Sequence, residues 1–209
     1  MLIFSKAKLV FLSVPKTGST AFHEALAPHA AIAVCDPPQL KHAPLYRYNR
    51  FYRPMVDRFI GADMDILAVV REPISWLGSW YRYRRRPDML GRPNATHDLS
   101  FDDFIEAYCR VEKPPFARVG SQARFLAPTP NGLQVTHLFR YEDQAGLLAF
   151  LESRLGVRIS PERLNASSGQ LPVLSDKAAS RLRIARPEDF DLWNQIQPGG
   201  IYRPELISG

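Results

Sequence analysis

Cysteine is nearly absent, with Cys35 and Cys109 the only two in 209 residues. They lie far apart and outside any Cys-x-x-Cys or Cys/His cluster, which argues against a disulfide framework and against a zinc site and fits a reducing, cytoplasmic setting. Long apolar runs are missing as well, and no stretch reaches the length of a membrane-spanning helix. Internal repeats and low-complexity tracts are not found, so solenoid and tandem-module architectures are excluded. No glycines precede Lys16 in the one loop that otherwise looks built for phosphate, and no strand clearly ends in a magnesium-holding Asp. The G-x-x-x-x-G-K-[ST] pattern of metal-nucleotide hydrolases is therefore not met.

What is there describes an ordinary globular chain, 45% hydrophobic and 23% charged. Its length suits a single domain over 1–209 with a core of its own. The 27 basic residues exceed the 21 acidic ones by six, which points to anionic partners such as phosphate esters or acidic glycans without choosing among them. The opening MLIFSKAKLVFLSV is broken by Lys6 and Lys8, has no small-residue cleavage site and runs straight into the phosphate-like loop, so it reads as part of the fold.

Apolar runs of strand length occur at Lys8 to Val14, Ala30 to Cys35, Ile66 to Val70 and Gln134 to Arg140. Helical patterns follow the first of them (AFHEALA), occupy Lys41 to Ile60 with interruptions at Pro44 and Pro54, and begin again at Pro73. Ser100 with Asp103 forms a capping-box pattern ahead of a helix to about Glu112, and Gly156 stops the helix of Gln144 to Leu155. Weaker helical patterns cover Ser175 to Ala185 and Glu188 to Ile196, while Pro87 to Ser100 is turn-rich and polar, a long surface loop. Strands alternating with helices predict an α/β protein: a doubly wound, mainly parallel sheet of about four to five strands flanked by helices, P-loop-like in character.

The chemistry concentrates at two strand ends. Pro15-Lys16-Thr17-Gly18-Ser19-Thr20 joins the first strand to a helix N-terminus, where backbone N–H groups, hydroxyls and one Lys converge as an anion requires. Gly18 allows close backbone approach, and Lys16 supplies a mobile point charge. The third strand ends in Arg71-Glu72-Pro73, with Ser79 eight residues after Arg71. In a parallel sheet the carboxyl ends of the strands share an edge, so Arg71 is expected near the Lys16 loop as a second anion site, for a ligand with two separated phosphates. The bland alternatives are a capped turn with an exposed Lys and an Arg71 that pairs with Glu72 or Asp36.

These residues resemble the sulfotransferases that use 3'-phosphoadenosine 5'-phosphosulfate. Pro15 to Thr20 looks like their 5'-phosphosulfate loop, and Arg71-Glu72-Pro73 with Ser79 looks like their 3'-phosphate element, including the eight-residue spacing. Gly120-Ser121-Gln122 with Phe125-Leu126, and Arg140-Tyr141-Glu142-Asp143, are similar to secondary landmarks of bacterial and carbohydrate-type members. The resemblance implies transfer of a sulfuryl group from that donor, a co-substrate held by Pro15, Lys16, Thr17, Gly18, Ser19, Thr20, Arg71 and Ser79. No metal is implied. The acceptor is a hydroxyl or amine of a small molecule or glycan, and the second product is adenosine 3',5'-bisphosphate.

A general base must take the acceptor's proton, and two residues compete for that role. His42 lies between the donor motifs in a position similar to the catalytic His of several glycan sulfotransferases, and imidazole suits a base at neutral pH. Asp36, at the end of the second strand, is where another branch of the family carries a carboxylate. His23, Glu24, His29, His97 and His137 have adequate structural or solvated explanations. The runs Tyr46 to Arg53 and Tyr81 to Arg86 interleave bases with aromatics, and either form solvated helix faces or border the acceptor groove. Two other readings stand beside the enzyme: an ATP-dependent small-molecule kinase of P-loop type, and a non-enzymatic nucleic-acid-binding module built on the basic aromatic runs.

Overall fold

The computed structural model describes residues 1–159 and 172–202. The expectation of one domain over 1–209 thus includes residues 160–171 and 203–209, which lie outside the described residues. In chain order the elements are strands β1 (Leu2–Phe4) and β2 (Leu9–Leu12), helix α1 (Ser19–Leu26), strand β3 (Ile32–Ala33), and helices α2 (Pro38–Lys41), α3 (Leu45–Arg47) and α4 (Arg53–Phe59). A π-helical turn, Tyr48–Tyr52, joins α3 to α4. Strand β4 (Asp65–Val70) and helices α5 (Pro73–Tyr83), α6 (Phe101–Cys109) and α7 (Gln122–Phe125) follow. The described chain closes with β5 (His137–Arg140), α8 (Gln144–Leu155), α9 (Asp176–Ala185), α10 (Pro187–Asn194) and β6 (Ile201–Tyr202).

The protein is a mixed α/β structure around one six-stranded sheet in the order β3-β1-β2-β4-β5-β6. The expected mainly parallel sheet of four to five strands needs correction. Only β2–β4 and β4–β5 are parallel, while β1–β2, β1–β3 and β5–β6 are antiparallel. The reason lies in the connections. Parallel neighbours need a long crossover, which α1 to α4 supply between β2 and β4 and α5 to α7 supply between β4 and β5. The segment MLIFSKAK instead folds back through a tight turn in which the Lys8 N–H donates to the Ser5 carbonyl and Lys8 takes a left-handed φ of 50°. A turn of that length can only make an antiparallel pair.

Alternation along the strands divides the core between two faces. Val10, Leu12, Ile66, Ala68, Val70 and Leu138 point to one side, where Leu45, Tyr48 and Val56 of the α3–α4 segment and Ile196 cover them. Leu9, Phe11, Leu67, Val69 and Phe139 point to the other, against Phe22 and Leu26 of α1 and Leu147 and Leu151 of α8. A third cluster joins α5, α6, α9 and α10 through Trp76, Tyr81, Phe104, Tyr108, Leu182 and Phe190. The capping signals act as their chemistry demands: Ser100 and Asp103 make the reciprocal box on α6, Asp143 accepts from the Gly146 N–H at the start of α8, and Gly156 ends that helix in the left-handed region. Helix α6 stops at Cys109, short of Glu112.

The sheet is locked to its helical flank by one side chain. Gln122, fully buried, accepts from the Arg71 N–H at 2.9 Å and donates to the Arg71 carbonyl at 2.7 Å. It thus completes the backbone pairing just past the end of β4. Gln122→Ala leaves two buried backbone groups without partners, and each such group costs about 1 to 3 kcal/mol. Chemical denaturation should show a loss of roughly 2 to 4 kcal/mol; a loss below about 1 kcal/mol would mean that β4 ends securely without this residue.

Candidate functional site

Because β2, β4 and β5 run parallel, their carboxyl ends emerge on one edge, and the chain leaves them at Ser13, Arg71 and Tyr141. The Pro15–Thr20 loop is shaped by two left-handed residues, Lys16 at φ 67° and Gly18 at φ 73°. A non-glycine residue held there is strained, and such strain gathers where a loop must present its backbone to something. At Gly18 a side chain has little room: an added Cβ would stand 3.2 Å from the Tyr141 ring. Gly18 takes the N-cap position of α1 without a side-chain cap, so the opening N–H groups of that helix are not met by a side chain.

The two anion elements do meet. Arg71 is buried, and its Nη1 donates to the Lys16 carbonyl at 3.3 Å while its Nε donates to Ser75 Oγ at 2.8 Å. The face of the guanidinium lies 4.5 Å from the centre of the Tyr141 ring. Trp76 on α5 ties the helix to the loop by donating from Nε1 to the Pro15 carbonyl at 2.8 Å. The Lys16 ammonium sits 3.4 Å above the Tyr83 ring and 4.9 Å from that of Trp80. Neither Lys16 nor Arg71 has a carboxylate ion-pair partner among the described residues. The Glu72 carboxylate caps α5 at the Ser75 N–H, so the alternative in which Arg71 pairs with Glu72 is not met by an ion pair, though the Glu72 charge still favours the guanidinium.

Burial and the neighbouring Arg86, Arg84 and Arg71 charges press the Lys16 pKa down from 10.5 to about 7. Cation–π contact with two rings holds the side chain in place but provides no counter-charge. The site is thus a concentration of positive charge without a direct ion pair, tempered at Arg71 by the more distant Glu142 and Glu72, which an oxyanion would relieve.

The remaining expected residues fall into place unevenly. The Thr17 hydroxyl turns inward and donates to the Val14 carbonyl at 2.8 Å, so it is committed to the loop itself and is not a free donor. Ser19 is buried at the start of α1, and Thr20 is exposed, its hydroxyl accepting from Lys41 Nζ at 3.2 Å. Ser79 is half-buried on α5, one turn beyond Ser75 on the same helix face. Ser75 was missed by the sequence reading, although its i,i+4 spacing from Arg71 could have revealed it. Gln122, Tyr141 and Glu142 were recognised only as landmarks, and each reaches the site. Glu142 accepts from the Glu72 N–H at 2.9 Å and from Trp193 Nε1 at 3.1 Å.

Of the two base candidates, His42 has a defined tautomer. A carbonyl can only accept, so the 2.7 Å contact between His42 Nδ1 and the Ser13 carbonyl places the ring proton on Nδ1 and leaves the Nε2 lone pair available. Burial lowers the pKa of His42, with Lys41 and Lys16 adding to the effect and the Ser13 bond opposing it. Asp36 lies exposed in the link from β3 to α2. His23 is buried with Nε2 2.9 Å from Ser13 Oγ, and His137 is buried with Nδ1 2.9 Å from Thr136 Oγ1, both inside the fold. The Tyr81 to Arg86 run is not an open patch: Tyr81 and Arg84 are buried, and Arg84 donates to the Pro115 and Phe116 carbonyls.

A cleft of about 650 Å³ between α6, α7 and α10, walled by Lys113, Arg118, Arg124 and Arg186, lies beside this edge and not on it. Volume and chemistry therefore point to different places, and the Lys16–Arg71 pair is the stronger indication because it has both charge and strain behind it. Among the described residues no cluster of three or more His, Cys, Asp or Glu side chains is arranged to hold a metal ion. No helix among them is long and apolar enough to cross a membrane. Neither a protein-family model nor a curated protein matches this chain significantly.

The depressed Lys16 pKa has a measurable consequence. An anion binds the ammonium form, which is present below pH 7 and is lost as pH rises through 7, so binding above that point must take up a proton. Affinity for sulfate ion, which does not titrate in this range, should be level below pH 7 and fall by up to about tenfold per pH unit above it. Calorimetry in buffers of different ionisation enthalpy should register the uptake, and Lys16→Arg should abolish both slope and uptake. A flat profile in the unmodified protein would remove Lys16 from the anion site.

Proposed function

We propose that this protein is a sulfotransferase, moving a sulfuryl group from 3'-phosphoadenosine 5'-phosphosulfate to a hydroxyl or amine of a small-molecule or glycan acceptor. The observation that carries the reading is the contact of Arg71 with the Lys16 backbone, because it unites two cationic elements that the sequence separates by 55 residues. The same reading takes β2, the loop and α1, with β4 and β5 alongside, as a P-loop-like doubly wound unit to which β1, β3 and β6 are appended.

The residues fit such a donor. Lys16, the uncapped start of α1 and the close approach allowed at Gly18 suit the 5'-phosphosulfate, and Arg71 with Ser75 and Ser79 suits the 3'-phosphate. In the reaction the acceptor oxygen forms a bond to sulfur while the bond from sulfur to the 5'-phosphate oxygen breaks and its electron pair leaves with the phosphate. Positive charge fixed at Lys16 before the reaction stabilises the charge that gathers on the leaving oxygen. His42 Nε2 takes the proton released by the acceptor. Burial keeps His42 neutral, and so competent as a base, at pH 7.

The test is a comparison of ligands by melting temperature. Adenosine 3',5'-bisphosphate without magnesium should raise it more than ADP at equal concentration, because only the bisphosphate reaches both cations. Equal shifts would sink the two-site reading, and a strict need for ATP with magnesium would move the protein to the kinases. Once an acceptor is found, His42→Ala should keep the bisphosphate shift yet lose about 10² to 10⁴ in kcat, while Asp36→Asn should remain active. The wild-type kcat should hold level through neutrality and fall only on the acid side of 6.5, where His42 becomes protonated. A dead Asp36→Asn beside an active His42→Ala would give the role to the carboxylate.

A further inference from the structure

We infer that the face formed by α3, the π turn and α4 is a docking surface for an anionic lipid bilayer, a property separate from the donor site. These elements make one continuous helical segment, residues 45–59, whose inner face buries Leu45, Tyr48 and Val56 against the sheet. Surface helices normally keep apolar residues on that one face. This one carries a second apolar stripe: Phe51, Met55 and Phe59, at i, i+4 and i+8, point to solvent, with Phe51 63% and Phe59 81% exposed. Leu40 and Tyr46, just ahead of the stripe, are exposed as well. Half of the ten large apolar residues that stand exposed among the described residues thus belong to 40–59, and exposed apolar surface gathered in one place marks an interaction site.

The charge around the stripe selects the occupant. Residues 40–60 hold five bases, Lys41, Arg47, Arg50, Arg53 and Arg58, against the single acid Asp57, which accounts for four of the six net positive charges of the whole chain. Asp57 pairs with Arg53 at 3.3 Å, so it neutralises none of the others. Arg58 directly precedes Phe59, and the Arg50 guanidinium lies 5.3 Å from the Phe51 ring centre. Aromatic and aliphatic side chains flanked by arginines are what an interfacial helix needs: the apolar groups enter the boundary between headgroups and acyl chains, and the bases meet lipid phosphates. A nucleic acid would satisfy the charges but would leave Met55 and Leu40, which have no ring to stack, against a polar backbone. A second copy of the chain would bring the same positive face against itself, and like charges oppose such a pairing.

The experiment is co-sedimentation of the full chain with vesicles of phosphatidylcholine alone and of phosphatidylcholine with about one-third phosphatidylglycerol. Binding is expected to the anionic vesicles, little to the neutral ones, and to weaken as salt is raised. Arg58→Gln should lower the partition coefficient roughly fivefold. The double variant Met55→Ser with Phe59→Ser should lower it at least about tenfold. Phe59 stands in solvent and Met55 is partly exposed, so the variant should melt within a few degrees of the parent and keep its response to adenosine 3',5'-bisphosphate. Phe59→Ser alone should already lower partition with melting unchanged, which separates loss of docking from loss of folding and from failure of the donor-site reading. No binding to anionic vesicles, equal binding to neutral ones, or binding indifferent to Met55 and Phe59 would overturn the inference. So would a concentration-dependent dimer, or an oligonucleotide complex, that the double variant abolishes in a protein that does not bind vesicles.

Discussion

Arg71 lies against the carbonyl of Lys16, and the geometry of this end of the molecule is organised around keeping those two cations together. Like charges at close range repel, and neither side chain forms an ion pair with a carboxylate among the described residues, although Glu142 and Glu72 favour the charge on Arg71 from farther off. The cost is visible in the Lys16 pKa, pressed to about 7 by burial and by three arginines. Weaker contacts hold the arrangement: the rings of Tyr83 and Trp80 under the ammonium, the Tyr141 ring under the guanidinium, and the Ser75 hydroxyl on Arg71 Nε. Gln122 fixes the Arg71 backbone from the other side. Charge gathered at a strained loop without a direct ion pair is the feature on which the proposed donor site rests.

Each anchor of that pair comes from a different part of the chain, and the three-strand parallel core makes their meeting possible. β2 delivers the loop, β4 delivers Arg71 and β5 delivers Tyr141, all to one edge because all three run the same way. Pro15 and Trp76 then couple the loop to α5, whose later turns carry Trp80 and Tyr83 to the lysine. The antiparallel strands β1, β3 and β6 widen the sheet, and the start of β1 also reaches this edge, where the Met1 ammonium donates to the Val34 and Lys41 carbonyls. His42 joins from α2 through the Ser13 carbonyl, so the residue that would receive a proton is tied to the strand that ends in the cationic loop. Its tautomer follows from that bond, which turns the basic nitrogen away from the backbone.

Much of the site was legible in the sequence. Lys16, Gly18, Arg71 and the helix after the loop carry spacing and residue types that anion binding demands, and strand ends told where they would stand. The capping residues Ser100, Asp103 and Gly156 were legible for the same reason, since caps are local chemistry. The run Ala30 to Cys35 did hold a strand, β3, though only two residues of it pair. Less legible were the two-residue strand β6, too short for any alternation to register, and β1, whose three apolar residues ahead of Lys6 and Lys8 gave no sign that the segment returns as a hairpin. Thr17 looked like a ligand donor, but a hydroxyl two residues after a proline also has a backbone carbonyl within reach, and it took that one. The aromatic and basic runs looked alike on paper. Tyr81 and Arg84 are buried in a helical interface, whereas Phe51 and Phe59 stand in solvent.

The sequence by itself determined the local elements of this protein: where strands end, which loop turns left-handed at a glycine, which helices are capped, and which two cations are suited to oxyanions. Those are properties of a few adjacent residues, and periodicity and side-chain chemistry are enough to express them. Only the tertiary structure decided that Arg71 reaches the Lys16 carbonyl, that Ser75, Gln122 and Tyr141 serve the same place, that the histidine proton sits on Nδ1, and which members of the two similar basic segments are buried, as Tyr48, Tyr81 and Arg84 are, and which stand exposed, as Phe51 does. These depend on which strands run parallel and on what packs against each face, and contacts across such distances in the chain are set by the closing of the sheet and not by the composition of any one segment.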